Sequence, residues 1–356
     1  MISFCIDQPY IFKRVLYKKG ETWYTNNRPE NKRDFGRLFS LLEVWGESPN
    51  VVGINLEVGM QGRKMGKRGI RMFIEALGAV FAGLAAVIAY DSNRFIRQEY
   101  HICSDKIKKG ADILLLSDLH NKTYGKGNKK LLAEIERIAP DFIVVAGDMM
   151  TSDGEKSSYE VPLKLLRYLA EKYPVYYGMG NHEYRVKLYR KVYEDMFWRY
   201  KRELEKCGVR FLENERVYLT EYNIEICGLE IERRYYKRWH RTAMEEGYMD
   251  RLLGNSRADR YELLIGHNPD YFREYAEWGA DLTVSGHVHG GVVRLPFLGG
   301  MISPAMRIFP KYDGGIFEEK GKTMVLSRGL GMHTIPVRVF NPGELVVIHC
   351  GNGASV

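Results

Sequence analysis

The chain has 356 residues, 45% hydrophobic and 28% charged, with 36 Gly and 12 Pro in no fixed period. That composition builds one large or two medium domains with a true core and excludes a collagen-like, low-complexity or wholly disordered chain. Its net charge of +8 is uneven: residues 1–68 carry 12 Lys/Arg against 7 Asp/Glu, and the rest of the chain 41 against 38. The surplus therefore belongs to the leader, above all Arg63, Lys64, Lys67, Arg68 and Arg71, and not to an extended nucleic-acid surface.

In chain order, residues 1–59 lack sustained periodicity and are expected to be poorly ordered, an extension ahead of a start at Met60 or Met65. With the basic cluster they make up a leader, 1–69. Residues 70–90, IRMFIEALGAVFAGLAAVIAY, are uncharged from Ala76 to Tyr90 and long enough to cross a bilayer when Arg71 snorkels. The alternatives are a buried core helix, or a signal peptide cut after Val87–Ala89. Basic residues ahead of the helix place the N-terminus in the cytoplasm. The rest is then extracytoplasmic, tethered to the cell membrane by a single-pass anchor. Residues 91–108 read as a linker.

From residue 109 to 351, short apolar runs alternate with amphipathic stretches. Strands are expected at Asp112–Ser117, Asp141–Ala146 and Pro174–Met179, with helices at Asn128–Ile138, Val161–Lys172 and one long helix from Glu183 to Cys207. Several short strands follow in Val209–Leu229, then Tyr261–Ile265 and Asp281–Val284. The last part is β with Gly-rich turns, at Gly291–Leu295, Gly315–Phe317, Lys322–Leu326 and Glu344–His349. Strands alternating with helices argue α/β, and the β-rich second half argues a second sheet. Cys5, Cys103, Cys207, Cys227 and Cys350 are scattered, without a C-x-x-C pair, so a disulfide framework or zinc finger is not expected.

The expected strands run into the same kind of loop: Asp118-Leu119-His120, Gly147-Asp148, Gly180-Asn181-His182-Glu183, Gly266-His267-Asn268 and Gly286-His287-Val288-His289. Open α/β sheets gather ligands at the carboxyl ends of their strands, so these loops should converge. Glycine before the polar residue allows a sharp turn. Carboxylates, imidazoles and an amide oxygen suit Mn, Fe or Zn better than Cu(I) or Ca. Seven such side chains exceed one ion's needs. Each loop alone is weak evidence, but five of the nine histidines fall in these loops.

The series D-x-H, GD, GNHE, GH and GHxH closely resembles the calcineurin-like metallophosphoesterase family over about residues 109–351. The tail Ser327–Gly331 with Asn341-Pro342-Gly343-Glu344 is similar to its membrane-associated phosphodiesterase branch, related to UDP-2,3-diacylglucosamine pyrophosphatases. The resemblance implies a four-layer α/β/β/α sandwich with a dinuclear centre at the strand C-terminal ends. It implies two divalent metal ions: Asp118, His120 and His289 on one, Asn181, His267 and His287 on the other, and Asp148 bridging. The implied reaction is hydrolysis of a phosphodiester or pyrophosphate bond by a metal-bridging hydroxide, with His182 protonating the leaving oxygen; Asp148 and Asn181 serve catalysis as well. The substrate would be a phosphorylated small molecule or a lipid, UDP-2,3-diacylglucosamine being one candidate.

The same centre would also serve a nuclease or phosphoprotein phosphatase, and a membrane-tethered scaffold is the non-catalytic alternative. Glu232–Arg241, ERRYYKRWHR, reads as a lid for anionic lipid or substrate phosphate, as a nucleic-acid stacking surface, or as a solvated helix face. Arg294 and Arg328 are candidate phosphate contacts.

Overall fold

The structure is a computed structural model that describes residues 15–19, 22–26, 67–237, 241–291, 293–295, 299–301, 310–332 and 337–352. The chain divides into two units, Met1–Gly69 and Ile70–Val356. In the first, β1 (Val15–Lys19) and β2 (Thr22–Asn26) form an antiparallel hairpin, with Val15 opposite Asn26. Apart from that hairpin, the reading of residues 1–59 as a poorly ordered extension lies outside the described residues.

Helix α1 (Lys67–Ser92) covers the apolar segment. Its large side chains Met72, Phe73, Ile74, Val80, Phe81 and Tyr90 are all exposed. Among the described residues nothing covers them, which favours an anchor over a buried core helix. The helix is long and apolar enough to cross a membrane.

Strand β3 (Phe95–Cys103) follows after two residues. The linker expected over 91–108 thus contains a sheet strand. Its side chains alternate between partly buried and exposed, the pattern of an edge strand with one face covered. Next come β4 (Ala111–Leu116), α2 (Lys129–Ile138), β5 (Phe142–Val145), α3 (Glu160–Ala170) and β6 (Val175–Gly178). These follow the apolar runs and helical spacing closely.

The long helix expected from Glu183 to Cys207 is instead three: α4 (Asn181–Leu188), α5 (Arg190–Tyr193) and α6 (Met196–Glu205). Tyr189 leaves helical geometry at φ −98°, ψ 58°, and Glu194 sits at φ 50°. The breaks turn Tyr193 inward, where its hydroxyl donates to Ser152 O at 2.8 Å. Tertiary packing overrides propensity here.

The second half holds β7 (Val209–Leu212), β8 (Glu215–Leu219), β9 (Ile224–Gly228), α7 (Tyr248–Leu253), β10 (Tyr261–Ile265), α8 (Phe272–Trp278) and β11 (Leu282–Ser285). It ends with the short pair β12 (Arg294–Leu295) and β13 (Gly299–Gly300), then β14 (Gly315–Glu319), β15 (Lys322–Leu326) and β16 (Gly343–Gly351).

Two six-stranded sheets result, ordered β3-β16-β4-β5-β6-β7 and β14-β15-β11-β10-β9-β8. Strands β4 to β7 are parallel, as are β9, β10, β11 and β15. Side chains alternate along each strand. In β4, Ile113 and Leu115 face the second sheet and pack with Ile226, Leu263, Val284 and Val325. Leu114 and Leu116 face outward, onto Leu131, Ile135, Leu166 and Phe197 of the helices. Leu264 of the second sheet packs on Tyr248 and Tyr275 of α7 and α8. The layers are helices, sheet, sheet, helices, and the carboxyl ends of the parallel strands bring the polar loops together.

Candidate metal centre

All seven candidate ligands meet at the strand ends. Ligand atoms of Asp118, His120 and His289 lie within 4.8 Å of one another, as do those of Asp148, His267 and His287, and those of His120, Asp148 and His182. Asn181 Oδ1 lies 3.2 Å from His267 Nε2. Asp148 Oδ2 stands 3.1 Å from His267 Nε2 and 4.0 Å from His120 Nε2, between the two groups. Asp118, His120, Asp148, His267 and His289 are buried, whereas Asn181 and His287 are half-buried and form the open side.

Backbone conformation aims these side chains. Asp118 (φ 50°), His120 (46°), Asp148 (55°), His287 (74°) and His289 (52°) all occupy the left-handed region. Each such residue costs roughly 1–2 kcal/mol, so the fold holds strain at five of the seven positions. The glycines act differently from the sharp turn expected of them. Gly147 does turn, at φ 84°, but Gly180 does not, at φ −97°. A Cβ at Gly180 would strike Asp148, and one at Gly286 would overlap Ser117 Oγ and Asp118 Oδ2. Close approach between loops is what requires glycine there. Gly286→Ala should therefore displace Asp118 and weaken cation binding about 10- to 100-fold, read by metal titration of the folded variant. Unchanged affinity would contradict the close-approach argument.

The donor chemistry fits cations. His267 Nδ1 donates to Ala146 O at 2.6 Å and His289 Nδ1 to Gly331 O at 3.1 Å, which leaves both Nε2 atoms with lone pairs in the neutral rings. His267 Nε2 faces the oxygens of Asp148 and Asn181, and His289 Nε2 faces His120 Nε2 at 3.3 Å. Nitrogens and oxygens converging at such distances share either a proton or a cation, and the donor set suits a cation. The protein's own groups show the same tension. Burial pushes Asp118 up to about 7 against the pull of His267. Burial opposes the charge on Asp148 too, yet His267, His182 and His120 hold it well below the usual carboxylate range. His267 resists burial and rises to about 9 because Asp148 lies beside it.

Several supporting residues have a role here that the sequence alone does not assign. Fully buried Glu183 accepts from the N–H of Asp148 (2.8 Å), Met149 (2.8 Å) and Gly180 (3.1 Å) and from the Tyr177 hydroxyl (2.8 Å). Its spacing from Gly180 is that of a helix-capping carboxylate, the one signal that could have marked it. Ser152 donates its N–H to His182 Nδ1 at 2.9 Å, and its hydroxyl lies equally close. Tyr236 rests edge-on against His287, ring centroids 5.4 Å apart, at the open side. Buried Arg338 donates to the carbonyls of Arg328, Gly329, Gly331, Asn341 and Pro342, tying the Ser327–Gly331 and Asn341–Glu344 loops together.

The candidate phosphate contacts are engaged elsewhere. Arg328 forks onto buried Glu344 at 2.9 and 3.1 Å, and Arg294 donates to Asp313 O at 2.9 Å. In the basic run, Arg234 pairs with Glu232 and Glu245, and Arg241 with Glu274. Arg233 instead lies over the Tyr189 ring, 5.1 Å from its centroid and within the roughly 6 Å reach of a cation–π contact. Residues 238–240 lie outside the described residues.

Two six-stranded sheets that present carboxylates, imidazoles and an amide at their joined strand ends define a metal-dependent phosphoesterase. The chain belongs to the calcineurin-like phosphoesterase family, whose model matches residues 111–291. Among its relatives, an uncharacterised metallophosphoesterase of Aquifex aeolicus is 30% identical over 71% of this chain and 91% of its own. The uncharacterised metallophosphoesterase YkuE of Bacillus subtilis is 26% identical over 80% and 98%. The UDP-2,3-diacylglucosamine pyrophosphatase LpxG of Chlamydia trachomatis is 22% identical over 68% and 84%. The family is one of hydrolases that use divalent metals, and the residue groups here are suited to hold them.

Proposed function

We propose that the protein is a membrane-anchored hydrolase that cleaves a phosphodiester or pyrophosphate bond in a lipid- or UDP-linked substrate. The convergence of six other donor side chains on Asp148 carries the hydrolase part of this reading. Asp118, His120 and His289 would hold one cation, Asn181, His267 and His287 a second, and Asp148 would be shared. Mn, Fe or Zn suits this donor set. Cations bound there supply Lewis acidity toward phosphate oxygens and a lowered pKa for water.

The chain's own residues do the rest. The Ser152 N–H can only donate, so His182 Nδ1 must accept, which places the ring proton on Nε2. His182 then presents a donor to the leaving oxygen as the bond to phosphorus breaks and a water oxygen takes its place. The Ser152 N–H at Nδ1 holds the ring in that tautomer, so Nε2–H is a fixed hydrogen-bond donor toward the charge that develops on the leaving oxygen. Asp148 Oδ1 accepts the His182 N–H at 2.8 Å, fixing the start of α4 against the site.

Support for a lipid-linked substrate comes from the name of the chlamydial relatives and from the exposed apolar helix α1. Arg63, Lys64, Lys67 and Arg68 ahead of that helix favour a cytoplasmic N-terminus and an extracytoplasmic catalytic domain.

The test is Mn-dependent hydrolysis by the full chain in detergent, using bis(p-nitrophenyl) phosphate, p-nitrophenyl phosphate and a UDP-linked diacyl analogue. Inertness on all three sinks the reading. His182→Gln should lower kcat by about 10²- to 10⁴-fold on an alkoxide leaving group, with cation content unchanged. On p-nitrophenolate, which leaves without a proton, the loss should be much smaller. Equal losses on both leaving groups would remove His182 from that role.

A further inference from the structure

The helix expected to anchor the chain joins the catalytic domain at its catalytic end. Strand β3 runs parallel to β16, with Phe95 opposite Gly343, and β16 runs antiparallel to β4, with Val346 opposite Leu115 and Cys350 opposite Ala111. The first residue of β3 therefore lies at the end of the sheet where β4 finishes and opens into Asp118 and His120. Only Asn93 and Arg94 separate that residue from α1. The anchor emerges beside the metal-centre loops, not at the far end of the domain.

The junction is fixed. Arg94 pairs at 2.8 Å with Asp91, which is 3% exposed, and Asn93 Nδ2 donates to Ala89 O at 2.8 Å. The Ser92 hydroxyl oxygen accepts the Arg338 N–H at 3.2 Å, and Arg94 O accepts the Gly343 N–H at 3.1 Å. The Arg338 guanidinium donates to Gly331 O, the same carbonyl that takes the Nδ1 proton of His289. From the other side Lys122, two residues past His120, donates to Asn93 Oδ1 at 3.2 Å. A short chain of hydrogen bonds thus links anchor and centre.

A second feature of the same rim points to an anionic surface. The segment after His120 carries Lys122, Lys126, Lys129 and Lys130 with no acidic residue between Asn121 and Ala133. Lys126, Lys129 and Lys130 are exposed, and none of the four makes an ion pair among the described residues. Elsewhere among the described residues most surface lysines are paired, as Lys172 is with Glu136 and Lys201 with Glu213. Unpaired lysines beside an anionic bilayer are attracted to its headgroups. Helix α1, about 39 Å long at 1.5 Å per residue, spans the hydrocarbon core of roughly 30 Å.

Building on the phosphoesterase reading above, we infer that the catalytic rim rests against the bilayer. The exposed lysines of residues 121–130 face lipid headgroups, and the phosphate hydrolysed belongs to a lipid that stays in the membrane. The anchor is then a positioning element, because a two-residue junction held by these side-chain and backbone bonds cannot swing the centre away from the surface.

The full chain is reconstituted in phosphatidylcholine vesicles containing phosphatidylglycerol, with a photoreactive residue at position 129 or at position 108. Exposed Lys108 precedes β4, at the opposite end of the sheet. Crosslinking to lipid headgroups is expected from 129 and not from 108. Equal crosslinking, or none from 129, overturns the geometry whatever the activity. In the same vesicles, a flexible Gly/Ser insert of about ten residues between Ser92 and Asn93 should lower hydrolysis of an embedded UDP-linked diacyl lipid at least tenfold. Hydrolysis of soluble bis(p-nitrophenyl) phosphate should stay within about twofold, which also shows that the variant folds. The triple substitution Lys126→Gln, Lys129→Gln, Lys130→Gln should act in the same direction without touching the junction. Undiminished embedded-lipid hydrolysis in both variants overturns the substrate part. Loss of both activities in the unaltered chain would instead sink the phosphoesterase reading, and the crosslinks would still decide the geometry.

Discussion

Asp148→Asn is expected to lower hydrolysis by roughly 10³-fold or more and to reduce bound cation, while the protein stays folded. Loss of a hydrogen bond behind a metal ligand already costs 10- to 100-fold, and a carboxylate shared between two cations should cost more. The shape is nearly conserved. The substituted amide would still accept the His182 N–H through its one oxygen, as Asp148 Oδ1 does at 2.8 Å. What disappears is the negative charge beside His267 and the second oxygen between His267 and His120. An amide N–H₂ cannot take that oxygen's place facing a cation. Cation content by elemental analysis and Mn-dependent turnover would be read together. Activity within tenfold of the unaltered protein would refute the shared-carboxylate assignment.

Glu183→Ala should be the most destabilising single change in the site. It strands three backbone N–H groups and the Tyr177 hydroxyl in a dry interior. Breaking a buried charged cluster of this kind costs roughly 3–5 kcal/mol. At about 2–4 °C per kcal/mol for a domain of this size, Tm should fall by roughly 10 °C. Burial and the charge of Asp148 both push the Glu183 carboxyl above its usual range, so four donors are what the site uses to keep it in place. Glu183→Gln retains one acceptor oxygen and should recover part of the loss. A Tm within about 2 °C of the unaltered protein in the Ala variant would show that the cluster holds nothing. Because Glu183 accepts from both the Gly147–Met149 and the Gly180–Asn181 loops, activity should fall along with stability.

Much of the architecture was legible because parallel strands buried on both faces read as continuous apolar runs. Tyr261–Ile265 and Lys322–Leu326 appear in the structure with the bounds that the runs predicted. Helix α2 begins one residue after its expected start, where the apolar spacing Leu131, Leu132, Ile135, Ile138 sets in. Strand β3 was not legible. FIRQEYHIC is half polar, and its pairing partner Gly343–Gly351 lies some 250 residues away in sequence. Nor was the break between α4 and α6, since KLYRKVYEDMFWRYKRELE is helical by propensity throughout and the break accompanies a long-range contact, Tyr193 on Ser152.

The candidate site divides the same way. Residue types and their place after buried strands were enough to name Asp118, His120, Asp148, Asn181, His182, His267, His287 and His289, since both signals lie in adjacent residues. The sequence also showed that the charge surplus sits ahead of an apolar helix. Tertiary structure alone decided which nitrogen of His182 carries its proton, that Arg328 is spent on Glu344, and that α1 enters beside the centre. It alone set the left-handed backbone at Asp118, His120, Asp148, His287 and His289. Local sequence encodes burial and chemical type. Contacts across about 170 positions, and strain that only surrounding packing can hold, arise when the two sheets close on each other.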